Sequence, residues 1–258
     1  MLFDYEYFKR EILKLTGIDL SSYKEGQMKR RIDTLIAKHQ IVGYDQYVHR
    51  LSQDRELYEE FVNYITINVS EFYRDPLQWK VMEEKAIPEL IARFGRRLKI
   101  WSAACSTGDE PYSLVLALSR HLPLMNIRIF ATDLDKQVIA KAKIGLYPEK
   151  SIALVPPDLK RRYFRQIGDE YKIADEVKAC VEFREHNLLK DVYPQDCHMI
   201  LCRNVLIYFT EEAKDAVFRK FYRSLVHGGL YLAGSAEQIM NYNEIGFIRK
   251  NVVYYQKP

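Results

Sequence analysis

The stretch Lys99–Leu118, KIWSAACSTGDEPYSLVLAL, decides the fold. Its first residues, Lys99–Ala104, form a short apolar run that predicts a buried strand, and Cys105–Glu110 is a turn of small and polar residues. Pro111 suits the first turn of a helix, because an N–H at that position would have no helical partner. A strand, a tight loop and a helix N-terminus form the first unit of an open α/β sheet, where a ligand binds beyond the carboxyl ends of the strands.

The composition is that of a globular protein with a sizeable core. The chain has 258 residues, of which 48% are apolar and 29% charged, and its formal net charge is +4. This charge is too small to indicate nucleic-acid binding by itself. The sequence has no apolar run of about 20 residues and no signal-peptide pattern, so no membrane insertion is expected. A reduced, cytoplasmic protein without a metal is expected, because the cysteines lack metal-ligand spacing: Cys105, Cys180, Cys197 and Cys202.

Residues 1–67 have helical periodicity and predict an all-α N-terminal domain. Gly17 suits the end of the first helix, and Asp54 suits the N-cap of the fourth. The second helix, at about 22–39, turns an apolar set inward: Met28, Ile32, Leu35 and Ile36. Its other face carries a basic set: Lys24, Lys29, Arg30, Arg31 and Lys38. This basic face is either a solvated surface or a docking face for an acidic partner.

The linker 68–76, NVSEFYRDP, interrupts the helical pattern. It is polar and aromatic instead of a run of glycine, serine and proline, and Pro76 disfavours helix at Asp75. The linker is either a capping turn between domains or a lid over a ligand. A helix at about 77–94 then opens the second domain, residues 77–258.

A second strand, Asn126–Asp133, ends in an acid about 25 residues beyond the first loop, where a carboxylate accepts two ribose hydroxyls in nucleotide sites. Gly108 is the only glycine of the first turn, so the G-x-G-x-x-G phosphate-binding pattern is absent. A loop that does not approach a pyrophosphate needs fewer glycines. The pattern therefore favours an adenosyl ligand without phosphates over a dinucleotide.

The remainder alternates strands and helices around one irregular segment. Residues 149–183, with Pro156-Pro157 and short alternating runs, predict a small antiparallel insertion. A helix is expected over Glu211–Val226, closed by Gly228-Gly229. Polar residues follow the ends of successive predicted strands: Ser106–Glu110, Asp133, Asn187, Arg203-Asn204 and Tyr208. Several such residues at one sheet edge are typical of a ligand site.

At these residues the sequence resembles the chemotaxis receptor methyltransferases, the CheR family, over essentially the whole chain. The matching motifs are Asn68-x-Ser70-x-Phe72-Tyr73-Arg74, Trp101–Ser113, Ala131-Thr-Asp133, Asn187-Leu188 and Cys202–Phe209. The resemblance implies a Rossmann-like domain that binds S-adenosylmethionine (SAM), with a mostly parallel sheet, an all-α N-terminal domain and a small antiparallel β-subdomain. It also implies methyl transfer from SAM to glutamate side chains on receptor cytoplasmic helices, with S-adenosylhomocysteine as product.

The resemblance implies a set of cofactor-binding residues: Asn68, Ser70, Arg74, Ala104, Glu110, Asp133, Asn187, Leu188, Arg203 and Asn204. Asp133 would bind the ribose hydroxyls, and Asn187 with Leu188 would hold the adenine. Glu110 and the turn containing Ala104 would face the methionine part, with the carboxylate near the ammonium.

The resemblance also implies how the reacting end of the site is formed. The linker residues Asn68, Ser70 and Arg74 would close over the cofactor, and Arg203 with Asn204 would line the reacting end. Arg74 and Tyr208 are the expected catalytic residues. Arg74 would grip the substrate carboxylate, the carboxylate of the cofactor, or both. The resemblance leaves open whether the β-subdomain binds a receptor C-terminal peptide.

The proposed methyl transfer is chemically consistent with this set of residues. A methyl sulfonium is strongly electrophilic, and a glutamate of pKa about 4.3 is already ionised at neutral pH, so no general base is required. Two alternatives remain: a non-catalytic SAM-responsive adaptor and a nucleic-acid methyltransferase. The adaptor is disfavoured because Arg74 and Tyr208 are present, and the second because no N/D-P-P-Y/F motif occurs. The expected partner is the cytoplasmic helical bundle of a chemotaxis receptor, and the basic face is the candidate surface for contacting it.

Overall fold

The computed structural model describes residues 4–258; residues 1–3, at the start of the predicted N-terminal domain, lie outside the described residues. Contacts between Cα atoms divide the chain into two compact units. The first contains the residues up to Asn68 together with Val205–Ala216. The second contains Val69–Asn204 and Val217–Pro258. The predicted N-terminal domain therefore has an additional segment that comes from much later in the chain.

The first unit is helical, as predicted. Its helices within the N-terminal residues are α1 Tyr5–Thr16, α2 Glu25–Lys38, α3 Tyr44–Gln53 and α4 Arg55–Thr66. The predicted inward set of α2 is buried, and Phe8, Tyr47 and Phe61 pack together with ring centroids 6.0–6.3 Å apart. Gly17 ends α1 with a φ of 74°. The Asp54 carboxylate caps α4 by accepting a hydrogen bond from Leu57 N at 3.0 Å.

The segment Val205–Ala216 joins the first unit through backbone hydrogen bonds near the start of α2. Lys24 N donates to the carbonyl of Tyr208 at 2.9 Å, and Thr210 N donates to the carbonyl of Ser22 at 2.9 Å. Tyr23 and Phe209 form an antiparallel bridge, and their rings meet edge to face at 4.9 Å. Tyr208 therefore lies beside the N-terminus of the helix that carries the basic set.

The second unit is built on a mostly parallel sheet, as predicted. Its strands in chain order are β1 Ile100–Ala103, β2 Ile129–Asp133, β3 Leu146–Pro148, β4 Phe164–Ile167, β5 Glu170–Ile173, β6 Val181–Glu185, β7 Cys197–Cys202, β8 Leu225–Ala233, β9 Ile248–Arg249 and β10 Tyr254–Gln256. Among the described residues the central sheet has seven strands in the order β6-β2-β1-β7-β8-β10-β9. The first five are parallel, and β10 pairs antiparallel with β8 and β9.

Helices cover this sheet, and the chain order around β1 defines its topological switch point. The helices that follow α4 are α5 Pro76–Val81, α6 Ile87–Phe94, α7 Asp109–Leu118, α8 Lys136–Ile144, α9 Pro157–Tyr163, α10 Asp175–Lys178, α11 Glu211–Ser224 and α12 Tyr242–Ile245. A π-helical segment, Met82–Ala86, joins α5 to α6. From β1 the chain builds one side of the sheet through β2 and β6, and the other through β7 and β8. The boundary between β1 and β7 is thus the topological switch point, where open α/β sheets form a crevice.

The inserted antiparallel sheet is present, in the order β3-β5-β4. It differs at both ends from the predicted insertion 149–183. Leu146–Pro148 already belongs to it, whereas Val181–Phe183 lies in β6, where Ala131 of β2 pairs with Phe183. The alternating pattern of that last run arises because β6 is the edge strand of the central sheet and exposes Glu182 and Arg184.

The expectation that Gly228-Gly229 closes a helix is wrong. The helix α11 already ends at Ser224, and β8 begins at Leu225 and runs through both glycines. Leu225 pairs with Cys197 of β7, and a Cβ on Gly229 would lie 3.1 Å from the Cys197 carbonyl. Gly229 therefore permits the close approach of β8 to β7. In residues 4–258, no helix is long and apolar enough to cross a membrane.

Candidate functional site

The loop between β1 and α7 is fixed in an unusual backbone conformation. Ala104 and Ser106 have φ values of 58° and 48°, and Gly108 has a φ of 88°. A Cβ on Gly108 would lie 2.9 Å from the Ala142 Cβ, so both conformation and space require glycine there. Non-glycine residues with positive φ persist where surrounding structure over-determines them, and such positions cluster at ligand sites.

The carboxylate of Asp133 at the end of β2 fixes this loop from the neighbouring strand. It accepts from the backbone N–H of Ser106 at 2.8 Å and of Asp135 at 3.0 Å. Asp133 is buried, and burial raises its pKa to about 6 in spite of these hydrogen bonds. At neutral pH the group is therefore an ionised carboxylate in a defined orientation.

Glu110, in the first turn of α7, is held from both sides. Its Oε1 accepts from the Ser102 hydroxyl at 2.8 Å, and its Oε2 lies 3.5 Å from the Arg203 guanidinium. Burial raises the pKa of Glu110, and the positive charge of Arg203 opposes this shift. The predicted ligands Glu110 and Arg203 thus lie together across the switch point, one after β1 and one after β7.

Arg203 also connects the crevice to the linker. Its side chain is 3% exposed, and one terminal nitrogen donates to the Arg74 carbonyl at 2.8 Å and to Asp75 Oδ2 at 3.0 Å. The Arg74 carbonyl accepts as well from the Trp79 indole N–H at 2.9 Å. The Arg74 guanidinium is itself partly exposed and donates to the carbonyl of Val69 at 3.2 Å.

The start of the linker is held by α7. The Ser70 hydroxyl donates to the Asp109 carboxylate, which also accepts from the Thr107 hydroxyl at 2.5 Å. Tyr73 N donates to the Ser113 hydroxyl at 3.0 Å. Asp109 is 1% exposed, and burial raises its pKa to about 6. Within the second unit, Ser70 and Arg74 therefore belong to the same hydrogen-bonded structure as the loop after β1.

The turn after β6 borders the site beside the end of β2. His186 N donates to the carbonyl of Asp133 at 2.8 Å, which places the turn beside the end of β2. Asn187 Oδ1 accepts from Leu189 N at 2.9 Å. The carbonyl of Leu188 accepts from the Tyr193 hydroxyl at 2.7 Å and from the Lys220 ammonium at 3.3 Å. The predicted residues Asn187 and Leu188 are thus in a turn with an internally fixed backbone.

Asn68 and Tyr208 belong to the first unit, whereas the other predicted site residues belong to the second. The Asn68 carboxamide donates to the Thr66 hydroxyl at 2.8 Å, and Tyr208 follows Leu206 in a short 3₁₀ turn. Of the basic set, Arg31 donates to the carbonyl of Tyr64 at 2.6 Å. The Arg31 guanidinium is therefore bound to α4 within the first unit.

Sequence reasoning missed two acidic residues of the site. Asp75 is the ion-pair partner of Arg203, and Glu237 accepts from Asn204 N at 2.5 Å. Glu237 comes four residues after β8 ends, so the rule that polar residues follow strand ends would have found it. No local pattern pairs Asp75 with Arg203.

The chemistry of the crevice suits a polar, cationic ligand. Acidic side chains outnumber basic ones: Asp75, Asp109, Glu110, Asp133 and Glu237 against Arg74 and Arg203. Of the seven buried side-chain polar atoms in residues 4–258 that have no hydrogen-bond partner, two belong to the crevice: Ser106 Oγ and Arg203 Nε. Buried polar atoms are seldom left unpaired unless a ligand or water satisfies them. Over the same described part of the chain, no group of three His, Cys, Asp or Glu side chains is placed to hold a metal ion.

A mostly parallel sheet with acidic side chains at its switch point, in a chain that also has an all-α unit, is the arrangement of SAM-dependent methyltransferases, and the family comparison shows this class for the chain. The family profile described as "CheR methyltransferase, SAM binding domain" matches residues 68–253, and "CheR methyltransferase, all-alpha domain" matches residues 4–66. The chain therefore belongs to the CheR methyltransferase family.

Curated relatives agree with the family over nearly their full lengths. A chemotaxis protein methyltransferase of Listeria innocua is 40% identical, covering 98% of this chain and 97% of the relative. Chemotaxis protein methyltransferase 1 of Pseudomonas aeruginosa is 34% identical, covering 92% of this chain and 91% of the relative. A chemotaxis protein methyltransferase of Borreliella burgdorferi is 28% identical, covering 90% and 87%.

Proposed function

We propose that this protein transfers the methyl group of SAM to glutamate side chains of methyl-accepting chemotaxis receptors in the cytoplasm, forming γ-glutamyl methyl esters. The observation that supports this most strongly is the match of both parts of the chain to one family whose curated members are named chemotaxis protein methyltransferases. The acidic crevice supports it independently, because SAM carries an ammonium and a sulfonium.

The residues of the crevice fit SAM in chemical type. Asp133 has an oriented carboxylate for the ribose hydroxyls, since carboxylate oxygens retain lone pairs beyond those used by two backbone N–H groups. Glu110 has a carboxylate for the ammonium, beside the turn at Ala104. Asn187 and Leu188 border the adenine, and Ser106 Oγ is a buried donor and acceptor that still lacks a partner.

The reacting end is assigned to Arg203, Asn204, the linker and Tyr208. Ser70 and Arg74 would close over the cofactor together with Asn68. The planar fork of the Arg74 guanidinium matches a carboxylate, either that of the substrate or that of the cofactor. The Tyr208 hydroxyl would donate a hydrogen bond to the substrate carboxylate.

Catalysis in this proposal depends on orientation. Bound SAM supplies an electrophilic methyl group on a sulfonium. A substrate glutamate with a pKa of about 4.3 already carries the attacking oxygen as an anion, so the protein has no proton to remove. Alignment of reacting atoms lowers barriers by about 7–11 kcal/mol in the best cases. Side chains held by several hydrogen bonds each, such as Arg203 and Glu110, provide the necessary rigidity.

The experiment is methyl transfer from tritiated SAM to receptor-bearing membranes, followed by mild alkali. Ester-linked label is released as methanol, which is the expected result. Membranes that lack receptors are the control. Label that resists alkali would indicate N-methylation and contradict the proposal. Binding of S-adenosylhomocysteine without any transfer would indicate the adaptor instead.

We further propose that the receptor contacts the basic face of α2. Within the basic set, Lys38 is paired with Glu60 at 2.6 Å. Lys29 and Arg30 are exposed and line a shallow cavity of about 530 Å³ together with Gly26, Asp33, Thr34 and Ala37. An acidic helix would be attracted to these two cations at long range. Lys24 of the basic set donates its backbone N–H to the Tyr208 carbonyl within the first unit, so a receptor bound to this face would lie near Tyr208.

Charge reversal tests this surface. The variant Lys29→Glu/Arg30→Glu should weaken receptor binding and reduce its salt dependence, while S-adenosylhomocysteine binding stays unchanged. Arg10→Glu, an exposed cation on α1 of the same unit, is the matched control. Receptor affinity that is equal in both variants would remove the basic face from the proposal.

A further inference from the structure

The buried carboxylate of Glu237 lies at the carboxyl ends of β7 and β8, where the two strands separate. Cys202 and Ala233 form the last parallel pair of these strands. Beyond this pair, Glu237 Oε2 accepts from the backbone N–H of Asn204 at 2.5 Å and of Gly234 at 3.0 Å. One oxygen atom thus joins the two strands after their own hydrogen bonds have ended. Glu237 is 4% exposed, so its oxygen meets these N–H groups without competition from bulk water.

Gly234 makes this approach possible. A Cβ at this position would lie 2.3 Å from Glu237 Oε2 and 2.9 Å from Asn204 N. The φ of Gly234 is not positive, so an alanine would be conformationally allowed. The requirement for glycine is therefore spatial, and it comes from the carboxylate and the turn that the carboxylate holds.

The held turn determines where Arg203 points. Asn204 has a φ of 61°, in the left-handed region that few non-glycine residues adopt and in which asparagine is enriched. Arg203 is fixed between the end of β7 and this left-handed residue. Its guanidinium reaches the linker at Arg74 and Asp75, and the loop after β1 at Glu110. Through this turn, the Glu237 carboxylate is connected to both sides of the crevice.

We propose that Glu237 is a positioning residue of the methyl-transfer reaction, which holds Arg203 and Asn204 at the reacting end by accepting two backbone hydrogen bonds. The inference rests on the proposed function. Glu237 acts through these two residues and does not itself touch the substrate. The turn at Asn204 requires the acceptor oxygen of Glu237 and does not require its negative charge.

Three substitutions separate these roles. Glu237→Ala removes the acceptor and leaves two buried N–H groups unpaired. Glu237→Gln keeps an acceptor oxygen at the same length and removes the charge. Gly234→Ala leaves the carboxylate in the chain but displaces it from the turn. Gln256→Ala is the matched control, because it removes a buried amide that donates to the Gly228 carbonyl near the start of β8.

The readouts are kcat/KM for receptor methylation, the Kd for S-adenosylhomocysteine, and Tm. Glu237→Ala and Gly234→Ala should each lower kcat/KM by about 10- to 100-fold, the effect expected when reacting groups are misplaced by about 1 Å. Glu237→Gln should restore most of the activity, and the double variant Gly234→Ala/Glu237→Ala should be no worse than either single one. Gln256→Ala should lower Tm without this loss of kcat/KM.

Two results of the receptor-methylation assay would overturn the proposal. Turnover of Glu237→Ala equal to that of Gln256→Ala would show that the turn does not need the carboxylate. A Glu237→Gln variant as poor as Glu237→Ala would show that the charge is what matters. If Glu237→Ala does not fold, Gly234→Ala and Glu237→Asp, which withdraws the oxygen by one methylene, give the same test.

The failure of the proposed function would look different. In that case the wild-type protein would not methylate receptors at all, and the Kd for S-adenosylhomocysteine would be the readout that still tests the role of Glu237. A Kd for S-adenosylhomocysteine that is unchanged in both Glu237→Ala and Gly234→Ala would then overturn the positioning role by itself.

Discussion

The replacement Asp109→Asn should stabilise the protein at neutral pH. Asp109 is 1% exposed, and burial raises its pKa from 3.8 to about 6. A shift of one unit corresponds to about 1.4 kcal/mol, so the ionised carboxylate destabilises the folded state by about 3 kcal/mol relative to a neutral group. The asparagine amide keeps an acceptor for one hydroxyl, and the hydroxyls of Ser70 and Thr107 are able to accept from its NH₂ group.

The sign of the pH dependence follows from the raised pKa. The folded state binds a proton at Asp109 below about pH 6, whereas the unfolded state binds it only below about pH 3.8. The contribution of this group to stability therefore rises as the pH falls from 7 towards 4. Asp109→Asn should raise Tm at pH 7.5 by about 3–10 °C, and this advantage should shrink at pH 5, where wild-type Asp109 is protonated.

The assay is thermal unfolding of both proteins at pH 7.5 and pH 5. Asp158→Asn is the control, because this side chain is 55% exposed and its pKa is lowered by its ion pair with Arg120. Its stability should change by about 0.5 kcal/mol or less, equally at both pH values. The reasoning would be refuted if Asp109→Asn were less stable than the wild type at pH 7.5, since the buried charge would then be net favourable.

Other substitutions in the site test separate features. Arg74→Ala should lower the initial rate of methyl transfer by about 100-fold with little change in Tm, because the guanidinium is partly exposed and donates to a carbonyl of the linker; near-normal turnover would remove Arg74 from the reaction. Gly108→Ala should destabilise by about 1–3 kcal/mol in urea unfolding, because its φ is 88° and its Cβ would meet Ala142; an unchanged urea midpoint would contradict this. Arg203→Met should destabilise by about 3 kcal/mol in the same assay, since it leaves Glu110 without its cation, and a smaller loss should follow in the background Glu110→Gln.

The architecture was predictable because its signals are local. The strand, loop and helix of Lys99–Leu118 are adjacent in sequence, and the apolar periodicity of α2 directly reports which side is buried. Lys136–Ile144 shows the same principle, since Asp135 caps this helix at one end and Gly145 ends it at the other. Where a local signal conflicted with strand pairing, as at Gly228-Gly229, pairing determined the structure.

The partners within the site were not predictable in the same way. Arg203 meets Asp75 across 128 positions, and no pattern in either segment indicates which acid an arginine will choose. The bridge of Tyr23 with Phe209 joins residues that are even further apart in the chain. Such contacts depend on how the elements pack. The sequence can therefore predict which residues follow strand ends, as with Asp133, but not which of them bond to each other.

The distribution of backbone strain supports the location of the site independently of any motif. Of the eight non-glycine residues with positive φ in residues 4–258, five lie in the linker or within three residues of the end of β1 or β7: Tyr73, Asp75, Ala104, Ser106 and Asn204. Each costs about 1–3 kcal/mol, and the acidic groups beside them are buried at a further cost. A fold selected only for stability would not concentrate both costs at one edge of its sheet. Substitutions that relieve them, such as Asp109→Asn, are therefore expected to increase stability at the expense of the function of the crevice.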